Sequence, residues 1–531
     1  VLVLLTRLHY APVLALLASW LPWGVVQADT GAILREMAST VLPGYVWTTL
    51  WLGLWVAVGA AVVGTATAAA VTLFEFPGRR VFEWLLLLPL AMPAYVTAYA
   101  YTDFLQFSGP LQVGLRETFG LEGRLLPEVR SLWGAIWVFT FSLYPYVYLL
   151  ARTALGERAA HLMEAARLLG APLSRRITSI ALPLARPAVA AGVALALMET
   201  LADFGVTSYF GIQTFTTGII KAWLSMDNRI AAAQLSTMLL ALVLVLLWLE
   251  HRAERRMRFT AKGTGHAGAT EAQPVPLRGL ARGLAWGVCT LPVFMGFVAP
   301  VAFMLRPLAS DWSVLPWSRF LEWAWNSVRL GGITAGLAVA VALALAFAVR
   351  RRPDLLTRGV VRLASVGYAV PGAVIVVGLL LPVGWVQAHF PHWGVGALVT
   401  TTAVGIVWAY LVRFCAVALQ SVQSGYARIP ASLDDSARML GAGSARLMAN
   451  VHWPLLRRST AAAALLVFVD VMKELPATMV LRPFNSDTLA VVAYQLARDE
   501  RLGEAALPSL ALVAVGLVPV ILLSRTLRGR A

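Results

Sequence analysis

The stretch Glu164–Pro183, EAARLLGAPLSRRITSIALP, decides how this chain is organised. It is rich in arginine, lies between two apolar segments and returns at Asp435–Pro454 as DSARMLGAGSARLMANVHWP. Each copy has an acid, a small residue and Ala, then Gly after three residues, and Pro at its end. The copies lie 271 residues apart in a chain of 531 residues, which predicts two halves of one design.

The composition indicates a membrane protein that crosses the bilayer several times. Hydrophobic residues make up 59% of the chain and charged residues 13%, and the mean hydropathy is +0.73. Soluble domains carry about 25% charged residues, so the composition argues against a soluble fold. The formal net charge of +16 fits arginine-rich loops that orient a membrane protein better than it fits a nucleic-acid surface.

Apolar runs of about 17–25 residues predict transmembrane helices. The expected fold class is therefore all-α, a polytopic membrane protein with about twelve membrane helices in two parallel repeats. The runs are roughly 10–27, 46–73, 83–106, 131–151, 187–208, 231–249, 283–305, 326–349, 361–383, 393–412, 459–481 and 505–525. The first run also fits a cleaved signal peptide ending in Val-Gln-Ala. We expect a membrane anchor, because its removal would leave an odd helix count.

Charge differs systematically between alternate loops. Arginines crowd one side, with six in Arg152–Arg186, six in Arg413–Arg458 and a further group in residues 252–262. Loops on the other side carry mixed charge, as in residues 499–504. Because arginine and lysine mark cytoplasmic loops, we predict that both termini are cytoplasmic.

A polar stretch rich in Gly and Ala, residues 251–282, looks like a cytoplasmic linker between the halves. The predicted halves are 1–250 and 283–531, each with about six helices. The repeat extends beyond the loop, with two offsets. Trp47 and Pro93 match Trp325 and Pro371 at an offset of 278, and Glu199, Asp203 and Thr207 match Asp470, Glu474 and Thr478 at 271.

Glu164–Gly170 predicts a short amphipathic helix on the membrane surface. Its small residues Ala165 and Ala166 allow another surface to approach closely. Gly170 permits a backbone turn that a residue with a Cβ resists, and Pro183 marks the next membrane helix. The alternative is a basic loop that only rests on lipid headgroups. The recurrence of the spacing favours a helix exposed to a protein partner.

These residues resemble the EAA loop in inner-membrane permeases of binding-protein-dependent ABC importers. The first copy matches at Glu164, Ala165, Ala166, Gly170, Ile180, Leu182 and Pro183. The second matches at Ala437, Gly441 and Pro454 and departs at Asp435, Ser436, Val451 and Trp453. In that family the loop forms a coupling helix that seats in a cleft of a separate ATPase subunit. The resemblance implies this role for Glu164–Gly170 and Asp435–Gly441, and the departures leave open whether the two contacts are equal.

The sequence contains no ATPase or enzymatic motif of its own. None of the three lysines, Lys221, Lys262 and Lys473, follows a glycine, so a Gly-Lys-Ser/Thr phosphate loop is absent, as is His-Glu-x-x-His. We expect a permease subunit that is not an enzyme and needs no cofactor. The resemblance implies two copies of a cytoplasmic ATPase and a periplasmic binding protein as partners, in a bacterial inner membrane.

Four acids within predicted membrane helices are candidates for a translocation pathway. Glu199 and Asp203 are spaced i, i+4, which predicts a shared helix face, and Asp470 and Glu474 repeat this spacing. Acids in membrane helices usually face water, a partner or a permeation path. Four carboxylates around a pseudo-twofold axis would suit a hard, highly charged cation. The alternatives are neutralisation by Lys473 and an interfacial position of the first pair.

A second resemblance suggests the cargo. Met472–Val513 looks like the same stretch of fused permeases from ferric-iron importers, and the fused two-half architecture is typical of that branch. It implies that a periplasmic binding protein delivers Fe(III) and that this chain forms the whole pore. Thiamine permeases are also fused, and polyamine and sulfate permeases share the EAA loop, so these cargoes remain alternatives.

No set of iron ligands is identifiable, and the metal-site residues are unknown. His389 and His392 have near metal-ligand spacing on a predicted outer loop, but an interfacial His-aromatic loop explains them better. Asp499, Glu500 and Arg501 on another outer loop are candidate contacts for the binding protein, or are simply solvated.

Two other functional classes compete with an ATP-driven importer. A gradient-driven secondary transporter fits twelve helices in two parallel repeats equally well. Such a carrier has no ATPase to couple to, which leaves the duplicated loops unexplained. An intramembrane enzyme needs a nucleophile with its base, or a metal motif, and the sequence shows neither.

Overall fold

The computed structural model describes all residues except 1–11, 19, 21–29, 157–159, 262–273, 311, 314, 352–353 and 529–531. The first predicted run, 10–27, therefore lies mostly outside the described residues. Within this run, residues 12–18 are described and are helical. The rest of the described chain is almost entirely helical, which confirms the all-α polytopic fold.

The elements up to residue 261 are numbered in chain order, and the last of them extends into the predicted linker. They are α1 Thr30–Ser39, α2 Leu42–Leu73, β1 Phe74–Glu75, α3 Arg79–Leu85, a 3-10 turn Leu88–Ala91, α4 Ala94–Leu105, α5 Pro110–Phe119, α6 Leu132–Ala154, α7 Ala160–Leu168, α8 Leu173–Arg176, a π-helical segment Ile177–Ala181, α9 Leu182–Ala202, α10 Gly205–Tyr209, α11 Phe215–Leu224 and α12 Arg229–Ala261.

The remaining elements begin at residue 275. They are β2 Val275–Pro276, α13 Leu280–Val293, a π-helical segment Phe294–Val298, α14 Ala299–Ser310, α15 Trp317–Arg351, α16 Leu355–Ala364, a 3-10 turn Gly367–Ala369, α17 Gly372–His389, a 3-10 turn Pro391–Trp393, α18 Val395–Thr401, α19 Val404–Tyr426, α20 Ala431–Met439, α21 Ser444–Leu447, a π-helical segment Met448–His452, α22 Trp453–Lys473, α23 Pro476–Leu481, α24 Leu489–Arg498 and α25 Leu502–Arg528.

Nine helices of the described chain are long and apolar enough to cross a membrane, or ten if one bent pair counts as a span. The predicted count of twelve is not confirmed. The first run is largely outside the described residues. The run at 459–481 falls mainly on α22, which is not among the nine and which carries Arg457 and Arg458 near its start.

The predicted span at 83–106 is broken rather than continuous. The helices on either side of the break, Arg79–Ala91 and Ala94–Phe119, are bent by 88°. Pro93 stands at the break, and Pro371 takes the same position before α17 with nearly the same backbone angles (φ −59°, ψ 139° and φ −58°, ψ 141°). Proline has no N–H to continue a helical ladder, so a duplicated proline produces a duplicated break.

The duplication predicted from the loop extends to secondary structure. At an offset of 271, α7, α8, the π-helical segment and α9 have the same bounds as α20, α21, the second π-helical segment of that half and α22. Trp47 and Trp325, related by the offset of 278, are 65% and 64% exposed. The two halves therefore repeat one local design down to single residues.

The contacts divide the chain into two compact units that do not coincide with the sequence halves. The first-loop unit comprises Ala38–Gly218, Ala241–Pro316 and Ala493–Ala531, so α13, α14 and α25 from the second half belong to it. Tyr101 Oη donates to the Met295 carbonyl at 2.7 Å. The Phe104 and Phe303 rings stack with centroids 3.9 Å apart. These contacts hold second-half helices against first-half helices, and the parallel pairing of β1 with β2 adds another.

The second-loop unit comprises Val1–Met37, Ile219–Leu240 and Trp317–Val492. Its centre is formed by α15, α19 and α22, which pack against one another. A Cβ at Gly378 would lie 2.4 Å from the Pro12 carbonyl oxygen, so glycine allows the first described helix to approach α17. The Gln234 side-chain amide donates to the Thr30 carbonyl at 2.9 Å. The division into 1–250, 251–282 and 283–531 describes the sequence repeat and stays a prediction.

Candidate functional site

Each duplicated loop turns at a glycine in the left-handed region. The amides of Gly170 and Ala171 donate to the carbonyls of Arg167 and Ala166 at 3.0 and 2.9 Å, and the φ of Gly170 is +77°. Gly441 has the same φ of +77°, and the same pair of bonds recurs there at 2.9 and 3.0 Å. This is the glycine-dependent closure of a helix C-terminus. A Cβ at either glycine would meet nothing within 4 Å, so the backbone angle, and not packing, favours glycine.

The residues just before each glycine are apolar and almost fully exposed. Leu168 and Leu169 are 89% and 87% exposed, and Met439 and Leu440 are 89% and 86% exposed. Large apolar side chains left in solvent at one place mark a surface that another molecule covers. Sequence analysis missed these four residues, although an apolar pair precedes the glycine in both copies (LLG and MLG).

The predicted coupling residues lie on the same two short helices, or at their ends. Those that are exposed are Ala165, Gly170, Asp435, Ser436 and Gly441, and those that are half-buried are Glu164, Ala166 and Ala437. Each loop therefore presents an acid, small residues, an arginine and an apolar pair within two helical turns. The coupling role of these residues stays a prediction.

A buried charged network lies beneath the second loop. Asp434 on α20 accepts hydrogen bonds from Arg350 Nε (2.7 Å) and Nη2 (3.2 Å), and His452 Nε2 lies 2.9 Å from its carboxylate. Burial raises the pKa of the Asp434 carboxyl, but the hydrogen bonds from Arg350 and His452 outweigh it, and the net pKa is lowered. The ionised carboxylate joins α20 to α15 and to the start of α22. Sequence analysis did not single out Asp434, because its partners are distant along the chain.

The first predicted acid pair lies at a helix break. α9 ends at Ala202, and Asp203 follows in an extended conformation (φ −71°, ψ 134°). Asp203 Oδ1 accepts hydrogen bonds from the amides of Val206 (2.9 Å) and Thr207 (3.4 Å), and so caps α10. Glu199 therefore lies within α9 and Asp203 immediately follows its last residue, and a shared helix face for the two acids stays a prediction.

The second acid pair repeats this geometry at the end of α22. Glu474 is extended (φ −70°, ψ 127°) and accepts hydrogen bonds from the amides of Ala477 (3.0 Å) and Thr478 (2.9 Å). Asp470 lies within α22 and Glu474 immediately follows its last residue, so the shared face predicted for this pair also stays a prediction. Each half therefore ends a long helix at an acid that caps the next short helix.

The two capping carboxylates differ in their charge partners. Arg413 Nη1 on α19 lies 3.4 Å from Glu474 Oε1; the Glu474 side chain is buried and that of Arg413 is 12% exposed. Ser142 stands where Arg413 would fall in the first half, at the offset of 271. Among the residues that the structure describes, no basic side chain forms an ion pair with Asp203. One cap is therefore neutralised by an arginine, which sequence analysis did not single out, and the other is not.

Of the predicted outer-loop contacts, Glu500 is already paired. Arg130 donates to both carboxylate oxygens of Glu500 at 2.6 and 2.7 Å and to Tyr209 Oη at 3.0 Å. These bonds from Arg130 lower the pKa of Glu500 despite its partial burial. Arg501 pairs in turn with Glu504. Since Tyr209 ends α10, the outer-loop ion pair is connected to the short helix that Asp203 caps.

The two histidines on the predicted outer loop belong to an aromatic cluster. The His389 ring stacks on Trp385 with centroids 4.4 Å apart, and its Nδ1 lies 2.9 Å from the Trp385 carbonyl. His392 lies edge-on to Trp393 at 6.3 Å. No group of three or more His, Cys, Asp or Glu residues in the described part of the chain could hold a metal ion. The geometry matches that of an interfacial His-aromatic loop.

Comparison with known proteins places these features in context. Residues 60–259 match the family of inner membrane components of binding-protein-dependent transport systems. The chain is 27% identical over 484 residues to an Fe(3+)-transport system permease protein, FbpB 2, of Haemophilus influenzae, covering 90% of this chain and 88% of that one. It is 25% identical over 515 residues to a probable ABC transporter permease, y4fN, of Sinorhizobium fredii, covering 91% and 87%. A sulfate transport system permease, CysT, of Salmonella typhimurium is 28% identical over 215 residues, covering 39% of this chain and 73% of that one.

Proposed function

We propose that this chain is a multi-pass inner-membrane permease of the binding-protein-dependent ABC importers, with two permease halves fused in one polypeptide, and that it translocates ferric iron. A periplasmic binding protein delivers the Fe(III), and two copies of a cytoplasmic ATPase drive its passage. Both termini lie in the cytoplasm in this arrangement. The permease itself hydrolyses nothing.

The duplicated loops support a coupling role through their shape and their connection to the membrane helices. Each exposes an apolar pair beside a left-handed glycine, a compact surface that a partner's cleft can cover. Each continues through a π-helical segment into a long helix, α9 or α22, of 21 residues. At 1.5 Å per residue such a helix spans about 30 Å. Closure of the ATPases on ATP would move the loops, and these helices would carry the motion to the acids at their far ends.

The acids at the helix breaks support a route for a cation. Broken helices near the bilayer midplane form the binding sites of many transporters, and oxygen ligands suit a hard, highly charged cation such as Fe(III). In our proposal Glu199, Asp203, Asp470 and Glu474 line this route. Arg413 neutralises Glu474 and so reduces the negative charge that the second half contributes.

A relative that aligns along most of this chain and whose name states a cargo supports iron. The Fe(3+) permease aligns with 90% of this chain, whereas the sulfate permease aligns with 39%. Thiamine, polyamines and oxyanions remain the alternatives within the same architecture. A gradient-driven carrier remains the alternative of another class.

Uptake of radiolabelled Fe(III) tests this proposal directly. Cells with and without the chain are compared in the presence of unlabelled thiamine, spermidine or sulfate. We expect chain-dependent iron uptake that none of the competitors reduces. Absence of chain-dependent iron uptake would move the cargo to an organic cation or an oxyanion.

A second arm of this experiment separates ATP-driven from gradient-driven transport. A partner ATPase that binds but does not hydrolyse ATP should abolish uptake. Uptake that survives this change but stops when a protonophore collapses the proton gradient would contradict the importer mechanism.

A further inference from the structure

The two duplicated loops show similar surfaces to solvent but are held from beneath by different residues. At the offset of 271, the trio Leu155, Met163 and Ala181 corresponds to the trio Tyr426, Asp434 and His452. The first trio is apolar throughout, and the second can form hydrogen bonds and ion pairs. Sequence duplication has thus been kept on the exposed side of each loop helix and changed on its buried side.

Beneath α7 the three described residues of the first trio make apolar contacts. Leu155, Met163 and Ala181 are 1%, 6% and 0% exposed and belong to one buried apolar cluster. Apolar burial is non-directional, because its free energy depends on area removed from water. These three residues therefore hold α7 by packing alone, without direction-specific hydrogen bonds or ion pairs of the kind found beneath α20.

Beneath α20 the contacts are directional. In addition to its two bonds to Asp434, Arg350 donates to the carbonyls of Tyr426 (3.3 Å) and Pro430 (3.1 Å). One guanidinium from α15 therefore holds the end of α19, the residue before α20, and the buried carboxylate within α20. Charge-assisted bonds of this kind are short and geometrically specific.

His452 completes the network without needing a positive charge. An ionised carboxylate can only accept hydrogen bonds, so His452 Nε2–H donates to Asp434 at 2.9 Å. Its Nδ1 then accepts from Tyr426 Oη at 3.2 Å. The groups that face Asp434 are Arg350 and His452, and Tyr426 faces His452 from α19.

We propose that Asp434, through Arg350 and His452, is a positioning residue that fixes the orientation of the second coupling helix, α20, on α15 and α22. The first coupling helix, α7, can shift on the apolar residues beneath it. This inference rests on one part of the proposed function, that the two loops bind the ATPase subunits. The two ATPase contacts are therefore mechanically unequal. Motion entering at α20 is transmitted rigidly to the membrane helices, and motion entering at α7 is partly absorbed.

Replacing the residues beneath α20 with those at the equivalent positions beneath α7 tests this inference. The variant R350T/Y426L/D434M/H452A installs beneath α20 the residues found beneath α7, since Thr72 stands at the place of Arg350 at the offset of 278. Amide hydrogen exchange is measured on the full chain with its ATPases bound. We expect α20 amides to exchange at least about tenfold more slowly than α7 amides in the original chain, since breaking a buried charged pair is strongly unfavourable. In the fourfold variant, the amides of α20 and α7 should exchange at similar rates. Uptake should fall while the ATPases stay bound.

Single substitutions keep the test decisive if the fourfold variant fails to fold. H452Q retains a donor and an acceptor and should preserve the slow exchange of α20, whereas H452A should lose it. R350Q should also lose it, and R351Q, which changes the next and exposed residue of the same helix, should not. Equal exchange of α7 and α20 in the original chain, or a fourfold variant with unchanged uptake, would overturn the inference. Failure of the proposed function itself would appear differently, as a chain that binds no ATPase or supports no uptake before any substitution.

Discussion

Gly170 and Gly441 are the residues at which each loop depends on a single backbone angle. Both have a φ of +77°, and neither has a neighbour that a Cβ would strike. A residue with a Cβ pays roughly 1–2 kcal/mol in this region, and Asn tolerates it better than most. Substitutions here therefore report on the turn and on the partner surface, and not on packing within the permease.

Gly170→Asp should uncouple transport while leaving membrane insertion intact. The new side chain adds backbone strain and places a charge beside the exposed apolar pair. We expect uptake to fall at least about tenfold, the equivalent of about 1.4 kcal/mol in coupling, with normal protein levels in isolated membranes. Gly170→Asn is the matched control and should lose much less. Wild-type uptake by Gly170→Asp would refute the coupling assignment.

The exposed apolar pairs should carry contact area for the partner. Leu168→Ser/Leu169→Ser removes two side chains that are 89% and 87% exposed, so the free permease should keep its thermal stability. Full burial of one leucine is worth about 1.5–3 kcal/mol, and co-purification of the ATPases should weaken about tenfold or more. The equivalent change at Met439 and Leu440 is the second arm. Undiminished ATPase binding by both variants would show that the partner covers another surface.

At the scale of elements, the structure separates two roles that sequence analysis had combined in the four acids. Glu199 and Asp470 lie within the long helices, whereas Asp203 and Glu474 lie just beyond their ends and cap short helices. A capping carboxylate has a structural function even if no cation passes it. The variants must therefore distinguish the loss of charge from the loss of a cap.

Asp203→Asn and Asp203→Ala make that distinction. Asn caps a helix about as well as Asp, whereas Ala loses about 1 kcal/mol. If the carboxylate lines the cation route, Asp203→Asn should retain the thermal stability of the protein and still lower iron uptake severalfold, and Asp203→Ala should lower both. Asp203→Asn with full uptake would mean that capping is the whole role of this residue.

Glu474→Gln should behave differently from Asp203→Asn because it breaks a buried ion pair. Arg413 would keep its charge without a carboxylate partner, at a cost of about 3–5 kcal/mol. The melting temperature in detergent should fall, and Glu474→Gln/Arg413→Gln should recover part of the loss. A single substitution as stable as the starting protein would indicate that the 3.4 Å contact contributes little.

At the scale of the whole molecule, each compact unit contains segments from both sequence halves. The first-loop unit includes α13, α14 and α25 from the second half, and the second-loop unit includes residues 12–18 and α1 from the first. The predicted linker is therefore not a boundary between independently packed units. Its residues 262–273 lie outside the described part of the chain.

Fragments cut within the predicted linker should not accumulate separately. A fragment ending at residue 261 lacks the helices that pack against Tyr101 and Phe104, and exposes the apolar surfaces that they cover. We expect each fragment alone to be degraded and the two together to restore a stable protein, as measured by immunoblots of membranes. Stable accumulation of either fragment alone would show that the exchanged helices are dispensable for folding.

Several features of this protein were determined by the sequence alone. Apolar run length, arginine-rich loops and the spacing from Glu164 to Pro183 are local patterns, and they were sufficient for the all-α membrane fold, the duplicated loop and its glycine turn. The positions of the four acids along the chain were also evident. These inferences succeeded because helix formation in a bilayer depends on residues close in sequence.

The tertiary structure alone decided which residues act together. The helix breaks at Asp203 and Glu474, and the capping of the next short helices by these two acids, appear only in the folded backbone. Arg413 reaches Glu474 across 61 residues, and Arg350 reaches Asp434 across 84. The exchange of terminal helices between halves has the same origin. Such pairings arise from packing between segments distant in sequence, and no local pattern in a single chain specifies them.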